Sequence, residues 1–260
     1  MGKGESVTPP NAIVEAEWKV RLDLAGCYQL FDYLGWTEGI FNHISARVPG
    51  QDRHYLMNPF GLHYAEVTAS NLIKVDVAGN LIGPSAYPGN PAGFAIHGAI
   101  HGARDDLHCV IHTHTTAGMA IALKKDGLKH DDFYGAIAFG AVAYHDFEGI
   151  TVRAEESDRL VKSLGDRTMM ILRNHGLLAG GRSVAEAFFT YWTLQRACEV
   201  QVCADAMPGP NISLNRGVHD QITHDRKAFD STGTLPRAFF DGMIRRMEIA
   251  RTRQFVNWRQ

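Results

Sequence analysis

The run Val110-Ile111-His112-Thr113-His114-Thr115-Thr116 constrains this chain more than any other stretch. From Leu107 to Thr116 the residues are apolar or β-branched apart from the histidines, and Asp105-Asp106 precede them, which predicts a buried strand. Along a strand, residues i and i+2 point to one face, so His112 and His114 project side by side. Two imidazoles on one face suit Zn²⁺ or a similar divalent ion, which takes nitrogen ligands at about 2.0–2.1 Å. They equally suit a hydrogen-bonded pair at a strand end, and a third ligand decides between the two.

A candidate third ligand follows a second predicted strand, Thr168 to Leu172, which ends in Arg173-Asn174-His175-Gly176. Glycine at this point lets the backbone turn sharply and hold the His175 imidazole over a sheet edge. His97 and His101 lie four apart on a predicted helix from Phe94 to about Arg104 and share a face. They are either ligands or packed, singly hydrogen-bonded side chains among Phe94, Ile96 and Ile100.

Composition narrows the function classes. The 260 residues include 13 histidines, which directs attention to metal or acid–base chemistry. A formal net charge of −2 without a basic block gives no footprint for nucleic acid or an anionic membrane. No apolar run reaches bilayer length and no signal-peptide core follows Met1, so a cytoplasmic protein is expected. Cys27, Cys109, Cys198 and Cys203 lack paired spacing and read as reduced thiols in a reducing compartment.

Residues 1–10 read as a flexible arm, residues 11–210 as one domain, and residues 211–260 as a tail. A helix is predicted from Asn11, its cap, to about Tyr33, with Gly35 closing it. His43 to Val48 and His54 to Asn58 read as a hairpin across Pro49-Gly50, and Leu72 to Val77 as a further strand. The loop 87–93, rich in glycine and proline, leads into the histidine helix. Beyond His114 come a helix to about Leu123, a strand-like Gly140 to Tyr144, and an amphipathic helix from Arg153 to Leu164. Ser183-Val184-Ala185-Glu186 is a capping box opening a helix to about Ala206, ended by Pro208-Gly209-Pro210. Residues 211–235 read as irregular, and Pro236 to Trp258 as a last helix, expected to pack on a neighbouring subunit.

Five ordered blocks resemble the class II aldolase/adducin family over roughly residues 11–210. They are Asn42-His43-Ile44-Ser45-Ala46-Arg47-Val48-Pro49-Gly50, Pro91-Ala92-Gly93-Phe94-Ala95-Ile96-His97, Val110-Ile111-His112-Thr113-His114-Thr115, Tyr144-His145-Asp146-Phe147-Glu148-Gly149 and Arg173-Asn174-His175-Gly176-Leu177-Leu178. The resemblance implies an α/β fold, a three-layer α/β/α domain around a mixed, mostly antiparallel nine-stranded sheet. It also implies a homotetramer with active sites between subunits, and one divalent metal ion per chain (Zn²⁺ or Mn²⁺, with Fe²⁺ as an alternative). The family's three ligating histidines map to His112, His114 and His175. Three neutral histidines leave an ion its full charge and an open position, suited to stabilising negative charge when a carbon–carbon bond breaks.

The sequence departs from the sugar-phosphate aldolases that it resembles. They carry Ser-Ser-Glu, for phosphate binding and proton transfer, where this chain has Pro91-Ala92-Gly93. Their Gly-Asn pair is Asn42-His43 here, and a second phosphate-contacting position is Phe60. A phosphate dianion would lose several charge-assisted hydrogen bonds, so a non-phosphorylated acid is expected as the small-molecule substrate. His43 is the candidate general acid/base in place of the glutamate, with Tyr134 and Tyr144 as further catalytic candidates. Asn42, Ser45, Gly93 and His97 are the candidate substrate-binding positions, and Arg47 either meets a substrate carboxylate or pairs on the sheet.

The reading that follows is a metal-dependent lyase acting on a small keto or hydroxy acid. Decarboxylation is favoured over aldol cleavage, because it needs no base to deprotonate a hydroxyl. The alternatives are a non-haem iron oxygenase acting on an aromatic acid and a non-catalytic, adducin-like binding module.

Overall fold

The computed structural model describes residues 13–51, 53–150 and 154–251. Seven strands form one sheet: β1 (His43–Arg47), β2 (His54–Met57), β3 (Ile73–Asp76), β4 (Cys109–Thr113), β5 (Val142–His145), β6 (Met169–Leu172) and β7 (Gly176–Gly181). Their order is β3-β2-β1-β4-β7-β6-β5, and every pair is antiparallel except the parallel β5–β6. The sheet is therefore mixed and mostly antiparallel, with seven strands rather than nine among the described residues. Beyond β3 the pairing continues, among the described residues, as an isolated bridge between Val75 and Leu81.

The strands alternate their faces as the pleat requires, and each face carries its own helical layer. Ile44, Ile111, Ile171, Leu177 and Ala179 point toward helices α1 (Glu15–Tyr33), α7 (Val184–Ala206) and α9 (Leu235–Ala250). Val110, Ala143, Met170, Leu172 and Leu178 point the other way. There they meet Ile96 and Ile100 of the 91–103 helical segment and Leu160 and Leu164 of α6 (Ala154–Leu164). This is the expected α/β/α layering. That segment is not uniform: α2 (Pro91–Gly93) runs into a π-helical turn (Phe94–Gly98) and then α3 (Ala99–Ala103). Short helices α4 (Thr116–Ala122) and α5 (Phe133–Ala138), with α8 (Val218–Phe229), complete the fold.

Several boundaries differ from the sequence reading for identifiable reasons. Helix α1 begins after Val14, which makes no side-chain cap, and Asn11 and the arm lie outside the described residues. Gly35 does close it, at φ +71°. Strand β7, which the sequence reading omits, lies between β4 and β6 near the middle of the sheet. Residues 211–235 contain α8 instead of being irregular throughout. Helix α9 buries Phe240, Met243, Ile244 and Met247, and this apolar face packs within its own chain against α1 and α7. Among the described residues no helix is long and apolar enough to cross a membrane.

Candidate metal centre

The alternation Val110-Ile111-His112-Thr113-His114-Thr115 assigns the two kinds of side chain to opposite faces. Thr113 and Thr115 turn toward α7: the Thr113 hydroxyl lies 2.6 Å from the Tyr191 hydroxyl, and Thr115 donates to Gln195 Oε1 at 2.7 Å. Thr115 also caps α4, accepting from the Gly118 amide at 3.2 Å. With the threonines clamped, His112 and His114 are presented on the other face as one rigid pair.

His175 comes from the turn that closes the antiparallel β6–β7 pair, in which Leu172 faces Gly176. The turn is made by Asn174 at φ +58°, a left-handed conformation that asparagine tolerates. Gly176 serves differently from the sequence expectation. It has no positive φ, but a Cβ there would stand 2.2 Å from the Thr113 carbonyl oxygen and 3.1 Å from His114 Cδ2. Only a residue without a side chain lets β7 approach β4 closely enough to bring His175 to His114.

The three imidazoles converge. His114 Nε2 is 2.9 Å from His112 Nε2 and 2.9 Å from His175 Nε2, and one ring nitrogen from each lies within 4.8 Å of the others. Hydrogen bonding alone does not account for this. His112 Nδ1 donates to the Leu177 carbonyl at 3.0 Å, so its Nε2 carries a lone pair. His114 then holds at most one proton for two facing nitrogens. Burial pushes His112 well below the usual imidazole range, lowers His114 against the opposing pull of Glu38, and takes His175 down to about 4. All three rings are therefore neutral near pH 7, the state that ligates a divalent cation. The donor set and its orientation fit such an ion.

Asn42 positions this centre. Its Oδ1 accepts the His114 amide at 2.9 Å and its Nδ2 donates to the Trp36 carbonyl at 3.1 Å, so both ends of the amide are engaged with backbone. His43 opens β1 directly opposite His112 in the β1–β4 register, with ring centroids 4.9 Å apart. A Cβ on Gly93 would lie 3.4 Å from His43 Cγ and 3.1 Å from Met57 Cε. Position 93 thus abuts both Met57 and the His43 ring.

Behind His43 runs a buried polar chain. His43 Nδ1 meets His97 Nε2 at 2.7 Å, His97 Nδ1 meets Ser45 Oγ at 2.5 Å, and Ser45 Oγ meets His101 Nε2 at 2.7 Å. His97 and His101 do not join the three-histidine cluster; they face Ser45 instead. Arg47 donates to the backbone carbonyls of His101 and Arg104, which places it on the protein rather than on a substrate.

The two tyrosines stand apart from the cluster within the chain. The Tyr144 hydroxyl accepts the Leu128 amide at 3.0 Å, and Arg173 stacks over its ring at 4.3 Å. It belongs to the α7 side of the sheet, because Ala143 faces the other layer. Tyr134 lies on α5, packed against the α7-side core. The sequence reading missed Phe147 as a neighbour of the cluster; its ring is 6.0 Å from that of His175, and its place in a matched block was the signal.

A three-layer α/β/α domain carrying this histidine centre is the architecture of the class II aldolase superfamily. A superfamily protein from Pseudomonas syringae superposes with a TM-score of 0.87 at 41% identity, covering 95% of this chain and 98% of that one. An L-fuculose 1-phosphate aldolase from Glaciozyma antarctica PI12 gives 0.80 at 27% identity, covering 96% of each. The family model "Class II Aldolase and Adducin N-terminal domain" matches residues 22–202, and the chain belongs to that family. Rattus norvegicus alpha-adducin is 44% identical over 214 residues; the match takes in 78% of this chain but 29% of the adducin.

Proposed function

We propose that this protein is a divalent-metal-dependent carbon–carbon lyase acting on a small, non-phosphorylated keto or hydroxy acid, by decarboxylation in preference to aldol cleavage. The observation that carries the reading is the convergence of three neutral ring nitrogens from His112, His114 and His175, one of them fixed as a lone pair by its bond to Leu177. A zinc or manganese ion held by these residues would supply Lewis-acid stabilisation of the negative charge that develops on the substrate's oxygens. His43, whose Nδ1 is engaged by His97, offers Nε2 as the proton-exchanging atom. Phe147 supplies an apolar wall beside His175. Asn42 holds the His114 backbone and so contributes through the centre's geometry. Ser45 and His97 stand behind His43 in the same way, and Gly93 lies against the His43 ring.

A phosphorylated substrate is disfavoured because Pro91, Ala92, Gly93 and Phe60 offer no side-chain donor for a phosphate. Tyr134 would reach a reacting group only across a subunit boundary, in the homotetramer that we infer for this cytoplasmic chain. Light scattering of the purified protein tests that assembly.

Metal analysis, followed by a screen of keto and hydroxy-aromatic acids with CO₂ and carbonyl detection, tests the reading. About one divalent ion per chain and turnover lost in His114→Ala are expected, as is turnover lowered in His43→Ala with metal content unchanged. Full metal occupancy in His114→Ala refutes the ligand assignment. The likeness to alpha-adducin favours a second reading, a binding module without catalysis. A chain that retains no divalent ion and turns over none of these acids would support it.

A further inference from the structure

The chain His43–His97–Ser45–His101 has only a few ways to place its hydrogens. His43, His97, Ser45 and His101 are all buried, at 2% exposure or less. Among the described residues no carboxylate forms a hydrogen bond or ion pair with any of the three rings, so each is neutral and carries one N–H. Three contacts join them, at 2.7, 2.5 and 2.7 Å, and each takes one hydrogen. Ser45 Oγ can accept twice but has one hydrogen, and among the described residues the two histidines are its only hydrogen-bond partners. A buried hydroxyl hydrogen left unpaired is costly, so Ser45 donates to one histidine and accepts from the other.

Two orders alone satisfy every contact. In one, all three rings are protonated on Nδ1; in the other, all three are protonated on Nε2. The far end selects between them. His101 Nδ1 has no hydrogen-bond partner, and the backbone group that acts on the His101 ring is the Leu107 carbonyl, which can accept but not donate and so favours a proton on the free ring nitrogen. A proton on His101 Nδ1 leaves its Nε2 to accept from Ser45. Ser45 then accepts from His97 Nδ1, and His97 Nε2 accepts from His43 Nδ1.

We infer that Ser45, His97 and His101 act as one set of positioning residues that holds His43 as its Nδ1–H tautomer, so that Nε2 meets the site as a bare lone pair. This deepens the proposal that His43 exchanges protons with the substrate, and rests on it for its functional meaning. The order involves no change of charge on any member; it is fixed by who donates to whom. It also gives a reason for His101, which touches neither the histidine cluster nor His43.

The test is two-bond ¹H–¹⁵N correlation spectroscopy of the zinc-loaded full chain labelled with [¹⁵N]histidine, which reads the protonated nitrogen of each ring. At neutral pH the wild-type protein is expected to show Nδ1–H at His43, His97 and His101 together. In Ser45→Ala, checked for native circular dichroism, the link to His101 is cut, and His43 is expected to become a mixture of both tautomers. Unlike tautomers among the three rings in the wild type would overturn the inference, as would the all-Nε2–H order or an imidazolium. So would an unchanged His43 in folded Ser45→Ala. Should the variant not fold, the wild-type spectrum still decides. Failure of the lyase proposal is read separately: an intact tautomer order in a protein without turnover removes the reaction and leaves the chain standing.

Discussion

Acidification is expected to unfold this protein well above the carboxylate range, because folding strips protons from its interior histidines. Burial pushes His43 down to about 3 and His101 to about 3, and drives His97 and His112 well below the ordinary value. In the unfolded chain each titrates near 6.5. The folded pKa is the lower one, so below pH 6.5 the unfolded state binds protons that the native state refuses. Stability is therefore present in full above pH 6.5 and lost as pH falls from 6.5 toward 3.

Between pH 7.5 and 5.5 each such ring costs about 1.4 kcal/mol, by the linkage of proton uptake to pH. His43 and His101 together remove roughly 3 kcal/mol, and His97 and His112 bring the loss to about 5.5 kcal/mol by the same linkage. Domains have only about 5–15 kcal/mol in total. At about 2–4 °C per kcal/mol for a chain of this size, the melting temperature should fall by roughly 10–20 °C. Urea unfolding at pH 7.5, 6.5 and 5.5, in chelator so that metal release adds nothing, measures the effect. Near pH 5.5 the slope should correspond to the uptake of roughly three to four protons on unfolding. His101→Gln should reduce it by about one proton. A slope below about one proton would refute the claim that these rings are held neutral inside the fold.

Chelation at neutral pH should lower the melting temperature. An ion present at a thousand times its dissociation constant adds about 4 kcal/mol, and differential scanning calorimetry of His114→Ala should show no such response to EDTA. Gly176→Ala forces a Cβ to within 2.2 Å of the Thr113 carbonyl. It should cost about 1–3 kcal/mol and weaken metal retention by parting His175 from His114; native stability and stoichiometry would contradict the close-approach argument. Asn42→Ala orphans the His114 amide and the Trp36 carbonyl. A loss of about 1–3 kcal/mol in urea titrations is expected, with metal affinity reduced but not abolished.

The parts of this fold that were legible in the sequence are those where one residue class dominates a face. Strand β4 was readable because Val110 and Ile111 flank its histidines without a polar break, and the His-x-His spacing placed both rings on one side before any contact was known. Strand β7 was not, because Gly176, Gly180 and Gly181 erase the β-branched signature. Those glycines are required by tertiary approach: a Cβ on Gly181 would stand 2.5 Å from the Ala187 amide nitrogen. Helix α8 was hidden for a related reason, being mostly polar, without the apolar stripe that announces a helix. At the site, the sequence marked His97 and His101 as a pair on one face but not their direction. A π-helical turn, which propensity does not encode, carries His97, and both rings converge on Ser45.

The exchange between positions 43 and 93 links the fold to the chemistry. In the aldolases that this chain resembles, a glutamate stands where Gly93 is found here. A Cβ at that point would press on Met57 at 3.1 Å and stand in ordinary contact with the His43 ring at 3.4 Å, so position 93 and His43 are immediate neighbours. Beside position 93 stands an imidazole, anchored from behind by His97 and, through Ser45, by His101. A carboxylate at 93 would bring a negative charge beside the histidine centre, whereas His43 brings none while neutral. On the proposed function, the substitution leaves His43 as the proton-exchanging group next to position 93 and removes a charge that would repel an incoming acid. That is the physical reason to expect an acid substrate here.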